Sequence, residues 1–178
     1  RSDVVTTHPP YLSNRKMNAR LRSLMEDHYT ESKGDLYAAF IARCKELLEP
    51  SGLMGMLTMH SFMFISSYED LRAKLREDMA IETLAHYGGG LFAVGNPGTL
   101  QTAAFVFRKE PDEKQREENT GVYFRLVRER DSEAKRLAFE STLTALRAGQ
   151  DRRVGGRGRR LVVELARKVA DGFLADIP

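Results

Sequence analysis

The chain alternates short apolar runs with segments of helical periodicity, and this alternation restricts its fold more than any other feature. The run Leu53–Met59 shows no polar alternation, as expected for a strand covered on both faces. Before it, apolar residues recur at helical spacing over Leu36–Leu48, with Asp35 as the N-cap and Pro50–Gly52 as the stop. A second helical pattern precedes a strand at Ile81–His86. This order predicts an α/β fold with a parallel sheet.

Further patterns fill in the middle of the chain. Ser66 or Ser67 can cap the second helix, which runs to Leu75. Glycine clusters at 88–90 and 95–98 precede the apolar run Thr102–Phe107, and turns this close together predict a bend or hairpin-like return at the sheet edge. Residues 12–34 are polar and predict a long loop with one helical turn at Leu21–Met25.

The last third of the chain is more highly charged. The stretch Arg108–Asn119 reads as a solvated linker, and Val122–Val127 reads as a strand. Asp131 caps a predicted helix whose apolar face comprises Ala134, Leu137, Ala138 and Leu146. A Gly- and Arg-rich segment at Asp151–Arg160 leads into a final amphipathic helix over Leu161–Phe173.

Composition excludes several classes of protein. The chain has 178 residues, 42% hydrophobic and 30% charged, which is typical of one globular domain. No apolar run approaches the roughly 20 residues that a membrane helix needs, and no secretory signal is visible. The single cysteine, Cys44, forms no internal disulfide and no thiolate metal cage, and the four histidines lack ligand spacing. We therefore expect a cytoplasmic protein with no metal site.

The candidate functional segment is His8-Pro9-Pro10-Tyr11, which follows the β-branched run 3–7. Open α/β sheets bind their ligands at the ends of such strands. The two prolines have fixed φ and no amide hydrogen, so they hold main-chain carbonyls outward, and Tyr11 offers a flat ring. This corner is suited to a planar ring that carries an exocyclic amine. The structural alternative is a proline-stiffened turn with a core tyrosine.

An ordered series of motifs resembles the amino-group DNA methyltransferases. Val4–Tyr11 looks like their Asn-Pro-Pro-Tyr motif and the strand before it, followed in the same order by Asp35–Phe40, Leu47–Leu53, Leu91-Phe92 and Thr102–Phe107. The likeness is greatest to the large adenine-specific methyltransferases of Pgl and BREX phage-defence systems, through Met56–Phe64 and Gln101–Val106. It covers residues 2–130.

The resemblance implies a fold and a division of the chain. Residues 1–110 would be the later half of a Rossmann-like, S-adenosylmethionine-dependent methyltransferase sheet. Residues 111–120 would be a charged linker, and residues 121–178 would begin a partial α+β extension for DNA recognition. The implied function is transfer of a methyl group to the exocyclic amine of a flipped adenine in double-stranded DNA, in phage defence. Other phage-defence proteins are further candidate partners.

The resemblance also assigns roles to residues. The segment from His8 to Tyr11 would be catalytic: the Pro9 carbonyl would accept an amine proton, Pro10 would stiffen the corner, and Tyr11 would stack on the base. Phe92 would pack on the other side of the base. The cofactor S-adenosylmethionine would lie against three residues of one segment, namely Asp35, Tyr37 and Phe40.

Two departures from the family pattern bear on activity. His8 stands where the family has Asn, and imidazole presents at most one in-plane acceptor. The glycine-rich cofactor loop that the family places before this strand does not occur in the chain, so we expect a fragment that binds cofactor weakly by itself.

The basic segment near the carboxyl terminus is a candidate for contacts with the DNA backbone, through Arg152, Arg153, Arg157, Arg159 and Arg160. A solvated face is the structural alternative. Two other functions remain open: a catalytically inactive DNA-binding or assembly module of the same family, and a methyltransferase acting on protein glutamine, a class that also uses a Pro-Pro-Tyr pocket.

Overall fold

The structure is a computed structural model that describes residues 1–92 and 100–148. The helix predicted at 161–173 and the basic segment at 151–160 lie outside these residues. Strands and helices alternate along the chain: β1 Ser2–Thr7, α1 Ala19–His28, α2 Leu36–Leu47, β2 Leu48–Met59, α3 Glu69–Asp78, β3 Met79–Gly88, β4 Thr102–Lys109, α4 Glu113–Glu117, β5 Val122–Arg125 and α5 Ser132–Arg147.

The five strands form one sheet in the order β1-β2-β4-β3-β5. Strands β1, β2, β3 and β5 run in the same direction, and β4 is antiparallel to both of its neighbours. The predicted α/β fold is confirmed, but the sheet is mixed rather than purely parallel. The chain reverses direction between β3 and β4, as predicted. The prediction that this reversal lies at the sheet edge is wrong, because β4 is an interior strand. Strand β4 lies between β2 and β3 and buries Ala103, Phe105 and Val106, as expected for a strand that is covered on both faces.

Two apolar cores cover the two faces of the sheet. Helices α2 and α3 pack on one face, where Ile41 and Leu71 meet Met56 and Phe105. The other face packs against α5, whose Phe139 lies in one cluster with Leu57, Tyr87 and Phe124. Because side chains alternate along a strand, the adjacent residues Met56 and Leu57 belong to different cores.

The helix boundaries follow local chemistry in most places. The Asp35 carboxylate accepts a hydrogen bond from the Tyr37 amide and caps α2, and Asp131 caps α5 in the same manner, as predicted. The predicted cap of α3 is wrong, because its N-cap is Tyr68 and no side chain caps the helix. Serines 66 and 67 instead lie in a 3₁₀ turn over Ser66–Tyr68.

Two predictions about helices need correction. The loop expected at 12–34 contains a ten-residue helix, α1, which is stabilised by packing of Met17 and Met25 on Ala39 of α2. Most residues of α1 are good helix formers, but their apolar pattern is too short to predict the whole helix, and its contact with α2 is not visible in the sequence. In α5 the predicted apolar face is correct in part: Ala138 and Leu146 pack on the core, but Leu137 is 54% exposed, and the buried residues Phe139 and Leu143 were not predicted.

The charged stretch at 108–119 is more ordered than a solvated linker. Arg108 belongs to β4 and pairs with Glu82 and Glu110, and residues 113–117 form α4. The predicted strand at 122–127 is confirmed as β5, which is shorter than expected and pairs with β3. The division into a catalytic part, a linker and a DNA-recognition extension stays a prediction.

Candidate base-binding edge of the sheet

The candidate site lies at the edge of the sheet where β1, β2 and β3 end. These strands are parallel, so the residues that follow them, His8 after β1, His60 after β2 and Phe92 after β3, collect at one edge. Strand β4 starts at the same edge, with Thr102 paired to Met59 and Gly88. Binding residues from distant parts of the chain can therefore meet here.

Three predicted site residues from two segments form one aromatic cluster. The rings of His8 and Phe92 are parallel within 8°, with centroids 6.0 Å apart. Tyr11 meets His8 edge-on at 5.5 Å, and its hydroxyl lies 3.0 Å from His8 Nε2. His8 is exposed, and the partial burial of its ring lowers the pKa of the imidazole, which favours the neutral form. Aromatic faces and a neutral polar ring thus share one corner.

The two prolines take different positions. Pro9 is buried and Pro10 is exposed. Among the described residues, none donates a hydrogen bond to the main-chain oxygen of Pro9. Tyr11 is only partly buried: its ring meets that of Tyr37 edge-on at 6.0 Å, and burial raises the pKa of its hydroxyl. The Pro9 oxygen is thus without a donor among the described residues, and part of the Tyr11 side chain is accessible.

The segment that follows Tyr11 is fixed to the start of α2 by Asp35. One carboxylate oxygen, Oδ1, accepts hydrogen bonds from the amides of Leu12 at 2.9 Å and Tyr37 at 3.2 Å. The Leu36 amide donates to the Leu12 carbonyl at 3.0 Å. No described residue donates to the second oxygen, Oδ2, which leaves that atom able to accept a hydrogen bond from a ligand.

The other predicted cofactor residues differ in exposure. Tyr37 is 1% exposed, and its hydroxyl lies 2.8 Å from Ser61 Oγ, so it positions neighbouring elements rather than presenting a surface. Phe40 is partly buried against the core and keeps part of its ring accessible. Of the three predicted cofactor residues, only Asp35 and Phe40 have side chains that are accessible to a ligand.

The segment that carries Phe92 is held by the start of α5. Gly88 and Gly90 have φ of 67° and 78°, and a Cβ on Gly90 would lie 2.2 Å from the Arg130 carbonyl oxygen. Buried Lys135 donates from Nζ to the carbonyls of Tyr87 at 2.8 Å, Leu126 at 2.6 Å and Glu129 at 2.6 Å. The sequence did not reveal this lysine, because a lone lysine in a charged helix is ordinarily solvent-exposed.

A histidine pair occupies the neighbouring part of the edge. His60 Nδ1 and His86 Nε2 are 2.8 Å apart, and the Phe64 ring contacts both imidazoles, each at a centroid distance of 5.4 Å. Burial lowers the pKa of each histidine, and for His86 the positive charges of Arg125 and Lys135 add to the effect. The two histidines therefore contact each other and Phe64 beside the candidate pocket.

The fold defines a class of protein. The chain superposes with a TM-score of 0.53 and 13% identity on a structure described as that of a class I S-adenosylmethionine-dependent methyltransferase from Listeria monocytogenes, over 80% of this chain and 41% of the other. It superposes with a TM-score of 0.54 and 17% identity on the ATP-dependent Type ISP restriction-modification enzyme LlaBIII bound to DNA, over 76% of this chain and 11% of that enzyme. The chain has the Rossmann-like fold of these methyltransferases.

Sequence comparison then gives the family. The Eco57I restriction-modification methylase model matches residues 2–92, about half of the chain, and the chain belongs to this family. It is 33% identical over 135 residues to the adenine-specific methyltransferase BrxX of Escherichia coli O9:H4 (strain HS). It is 33% identical over 143 residues to the adenine-specific methyltransferase PglX of Lacticaseibacillus casei (strain Zhang). These alignments confirm the resemblance to the Pgl and BREX enzymes.

The chain spans about a tenth of the length of these two relatives, with 76% and 80% of its own residues aligned to 11% of each. Among the described residues, no helix is long and apolar enough to cross a membrane. In the same ranges, no group of three His, Cys, Asp or Glu side chains is arranged to hold a metal ion. The arginines predicted to contact DNA, from Arg152 to Arg160, lie outside the described residues.

Proposed function

We propose that this chain is part of a DNA methyltransferase that transfers a methyl group to the exocyclic amine of adenine. The observation that carries the proposal is the convergence of His8, Tyr11 and Phe92 at the ends of β1 and β3. Only the fold brings these segments together, since more than 80 residues separate His8 from Phe92 in the sequence. The family and its curated relatives support the same reaction.

The corner can recognise adenine through both its ring and its amine. Tyr11 and Phe92 offer ring faces for a base that has left the DNA stack, and the Pro9 oxygen can accept one amine proton. Acceptors on the amine hydrogens direct the nitrogen lone pair away from the ring and toward the methyl donor. Positioning of this kind contributes more to an in-line transfer than a strong base does.

His8 would supply the second acceptor only in one tautomer. In neutral imidazole one nitrogen carries the proton and the other accepts. When Nε2 donates to the Tyr11 hydroxyl, Nδ1 is the acceptor and can serve the base amine. When Tyr11 donates to Nε2, Nδ1 carries the proton and repels the amine. The His8–Tyr11 hydrogen bond therefore controls whether histidine can replace the family's Asn.

The methyl donor would be S-adenosylmethionine, whose sulfonium supplies an activated methyl group. Among the residues of this chain, Phe40 would pack on its adenine ring and Asp35 Oδ2 would accept a hydrogen bond from it. Tyr37 would keep both in place from the core. On this proposal the whole protein acts on double-stranded DNA in the cytoplasm as part of phage defence, and residues 121–178 begin its DNA-recognition part.

The pocket is tested by NMR titration of the full chain with uncharged 2′-deoxyadenosine, with thymidine as the comparison ligand. We expect deoxyadenosine to shift the signals of Tyr11 and Phe92. Thymidine should shift them less, because it lacks the exocyclic amine that the pocket would bind. Phe92→Ala should weaken this binding about tenfold, which corresponds to the 1–3 kcal/mol of one base-stacking contact. Tyr123→Ala, at a tyrosine that is 60% exposed on β5, is the matched control and should leave binding unchanged.

Equal binding of thymidine, or shifts confined to residues far from the sheet edge, would overturn the adenine pocket. His8→Asn provides the complementary test. An amide oxygen in place of imidazole restores an acceptor that no tautomer can remove, so deoxyadenosine binding should strengthen. Weaker binding in His8→Asn would instead indicate that the imidazole itself holds the corner in shape, as in an inactive module.

A further inference from the structure

We propose that Arg15, Lys16 and Arg20 form a basic surface that binds the phosphates of the DNA strand whose base enters the candidate pocket. This inference rests on the proposed function and names its DNA-binding surface. The three residues, here called the α1 basic surface, lie on the 3₁₀ turn Asn14–Lys16 and in the first turn of α1, directly after the Pro-Pro-Tyr corner.

Charge is strongly one-sided in this part of the chain. No acidic residue occurs between Asp3 and Glu26, while Arg15, Lys16, Arg20 and Arg22 all fall in that interval. Glu26 and Asp27 are the first acidic residues after this interval, so no carboxylate lies among the four positive charges in the sequence. This local excess of positive charge lies next to the candidate pocket.

The α1 basic surface also lacks acidic partners within the structure. All three side chains are exposed, and none forms an ion pair within the described residues. Several basic side chains elsewhere do pair with carboxylates, as Arg43 does with Glu46 and Arg136 with Glu133 and Glu140. Unpaired cations on a rigid element remain free to contact an external anion.

The charge order along α1 opposes the stability of the isolated helix. Helix dipoles favour acidic residues in the first turn and basic residues in the last. Helix α1 has Arg20 and Arg22 near its start and Glu26 and Asp27 near its end. An arrangement that costs helix stability is expected where the positive end faces a negatively charged partner.

The surface is rigid, so little ordering is needed on binding. Arg22 donates from its guanidinium to the carbonyls of Asn14 at 3.3 Å and Met17 at 3.2 Å, which fastens the turn to the helix. The Asn18 side chain accepts from the Leu21 amide at 2.8 Å and caps α1. The preceding residues are held to α2 through the Ser13–Asp35 bridge. Preorganisation of this kind favours affinity because few side chains lose freedom.

DNA fits this surface better than an acidic protein does. A base in the pocket remains attached to its own phosphodiester strand, so phosphates must lie within a few residues of the corner. Arginine forks match phosphate oxygens in pairs, and lysine adds a point charge. The surface would hold the strand while the neutral, aromatic corner holds the base.

The salt dependence of DNA binding by the full chain tests this proposal. Duplex affinity is measured by fluorescence anisotropy over a range of salt concentrations for the wild type and for R15Q/K16Q/R20Q. Each lost phosphate contact should reduce the slope of log K against log salt by about 0.9, so we expect the slope to fall by roughly 2 to 3.

The control is R43Q/K114Q/R136Q, which removes the same charge from residues that pair with Glu46, Glu118, Glu133 and Glu140. It should change the slope by less than about 1. Circular dichroism verifies that both triple variants remain folded. An unchanged slope in the first variant, an equal loss in both variants, or binding of polyglutamate as tight as that of duplex would overturn the proposal.

The deoxyadenosine titration separates this surface from the pocket. The R15Q/K16Q/R20Q variant should bind the uncharged nucleoside as the wild type does, because no phosphate is present. If the wild type fails to bind the nucleoside while the salt slope still falls in the variant, the pocket is wrong and the surface stands. If nucleoside binding is normal and the slope is unchanged, the surface is wrong and the pocket stands.

Discussion

At the scale of single residues, the candidate site depends on a few polar groups that the sheet edge holds in place. His8 and Tyr11 form a hydrogen bond, and Asp35 joins the segment after Tyr11 to α2. Lys135 is the residue that sequence patterns describe least well. It is 1% exposed and donates to three carbonyls, one of which, that of Tyr87, lies on β3 and far from α5 in the sequence. No periodicity along α5 can encode partners so far apart.

We expect Lys135→Met to destabilise the protein by about 3 kcal/mol. Methionine fills a similar volume but leaves the carbonyls of Tyr87, Leu126 and Glu129 without a donor in a buried site. Burial lowers the pKa of Lys135, which shows that the ammonium is already poorly solvated there. Urea unfolding measures the change.

Arg136→Met, on the adjacent and more exposed position, is the control. Its ion pairs with Glu133 and Glu140 lie at the surface, so its loss should destabilise the protein much less than the loss of Lys135. Equal losses in the two variants would show that the three carbonyl contacts of Lys135 contribute nothing beyond those of a surface residue.

At the scale of elements, the connection after β3 is the one that shapes the site. Gly88 at the end of β3 and Gly90 in the connection adopt positive φ and pack against the segment before α5, and this places Phe92 beside His8. The glycine clusters could be read from the sequence, since such residues mark turns. Their contact with Arg130 could not, because it joins segments 40 residues apart that no local pattern relates.

Gly90→Ala should destabilise the protein by at least about 2 kcal/mol. A side chain at φ 78° is strained, and its Cβ would overlap the Arg130 oxygen. The displaced connection should also weaken deoxyadenosine binding, because Phe92 moves with it. Thermal unfolding and the NMR titration measure the two effects.

Gly89→Ala is the matched comparison one residue away. Gly89 is not among the glycines with positive φ, so alanine should be tolerated within about 1 kcal/mol. A variant of Gly90 as stable as that of Gly89, with normal nucleoside binding, would show that the contact with Arg130 does not position Phe92.

At the scale of the whole molecule, the alternation of strands and helices was predictable, whereas strand order was not. The starts of α2 and α5 could be predicted because Asp35 and Asp131 are typical N-cap residues. The insertion of β4 between β2 and β3 depends on which edges are free after the other strands have paired, and that is a property of the assembled sheet. Helix α1 was missed for a similar reason, since its stability comes from contact with α2.

Because both cores share the same strands, we expect the described part of the chain to unfold as one unit. Met56→Ala and Leu57→Ala remove neighbouring side chains from opposite faces of β2, and each should cost about 2–5 kcal/mol. Both should keep the same denaturant slope and a single transition in circular dichroism and tyrosine fluorescence. Two separate transitions would show that the faces fold independently.

The central place of β4 also has a consequence for biosynthesis. Until Thr102–Lys109 has left the ribosomal exit tunnel, β2 and β3 lack the strand that pairs with both of them, so the amides and carbonyls on those sides have no sheet partner. The nascent chain therefore has two unpaired strand edges until residue 109 has left the exit tunnel. A chaperone that shields these edges would act during a short and definable window of translation.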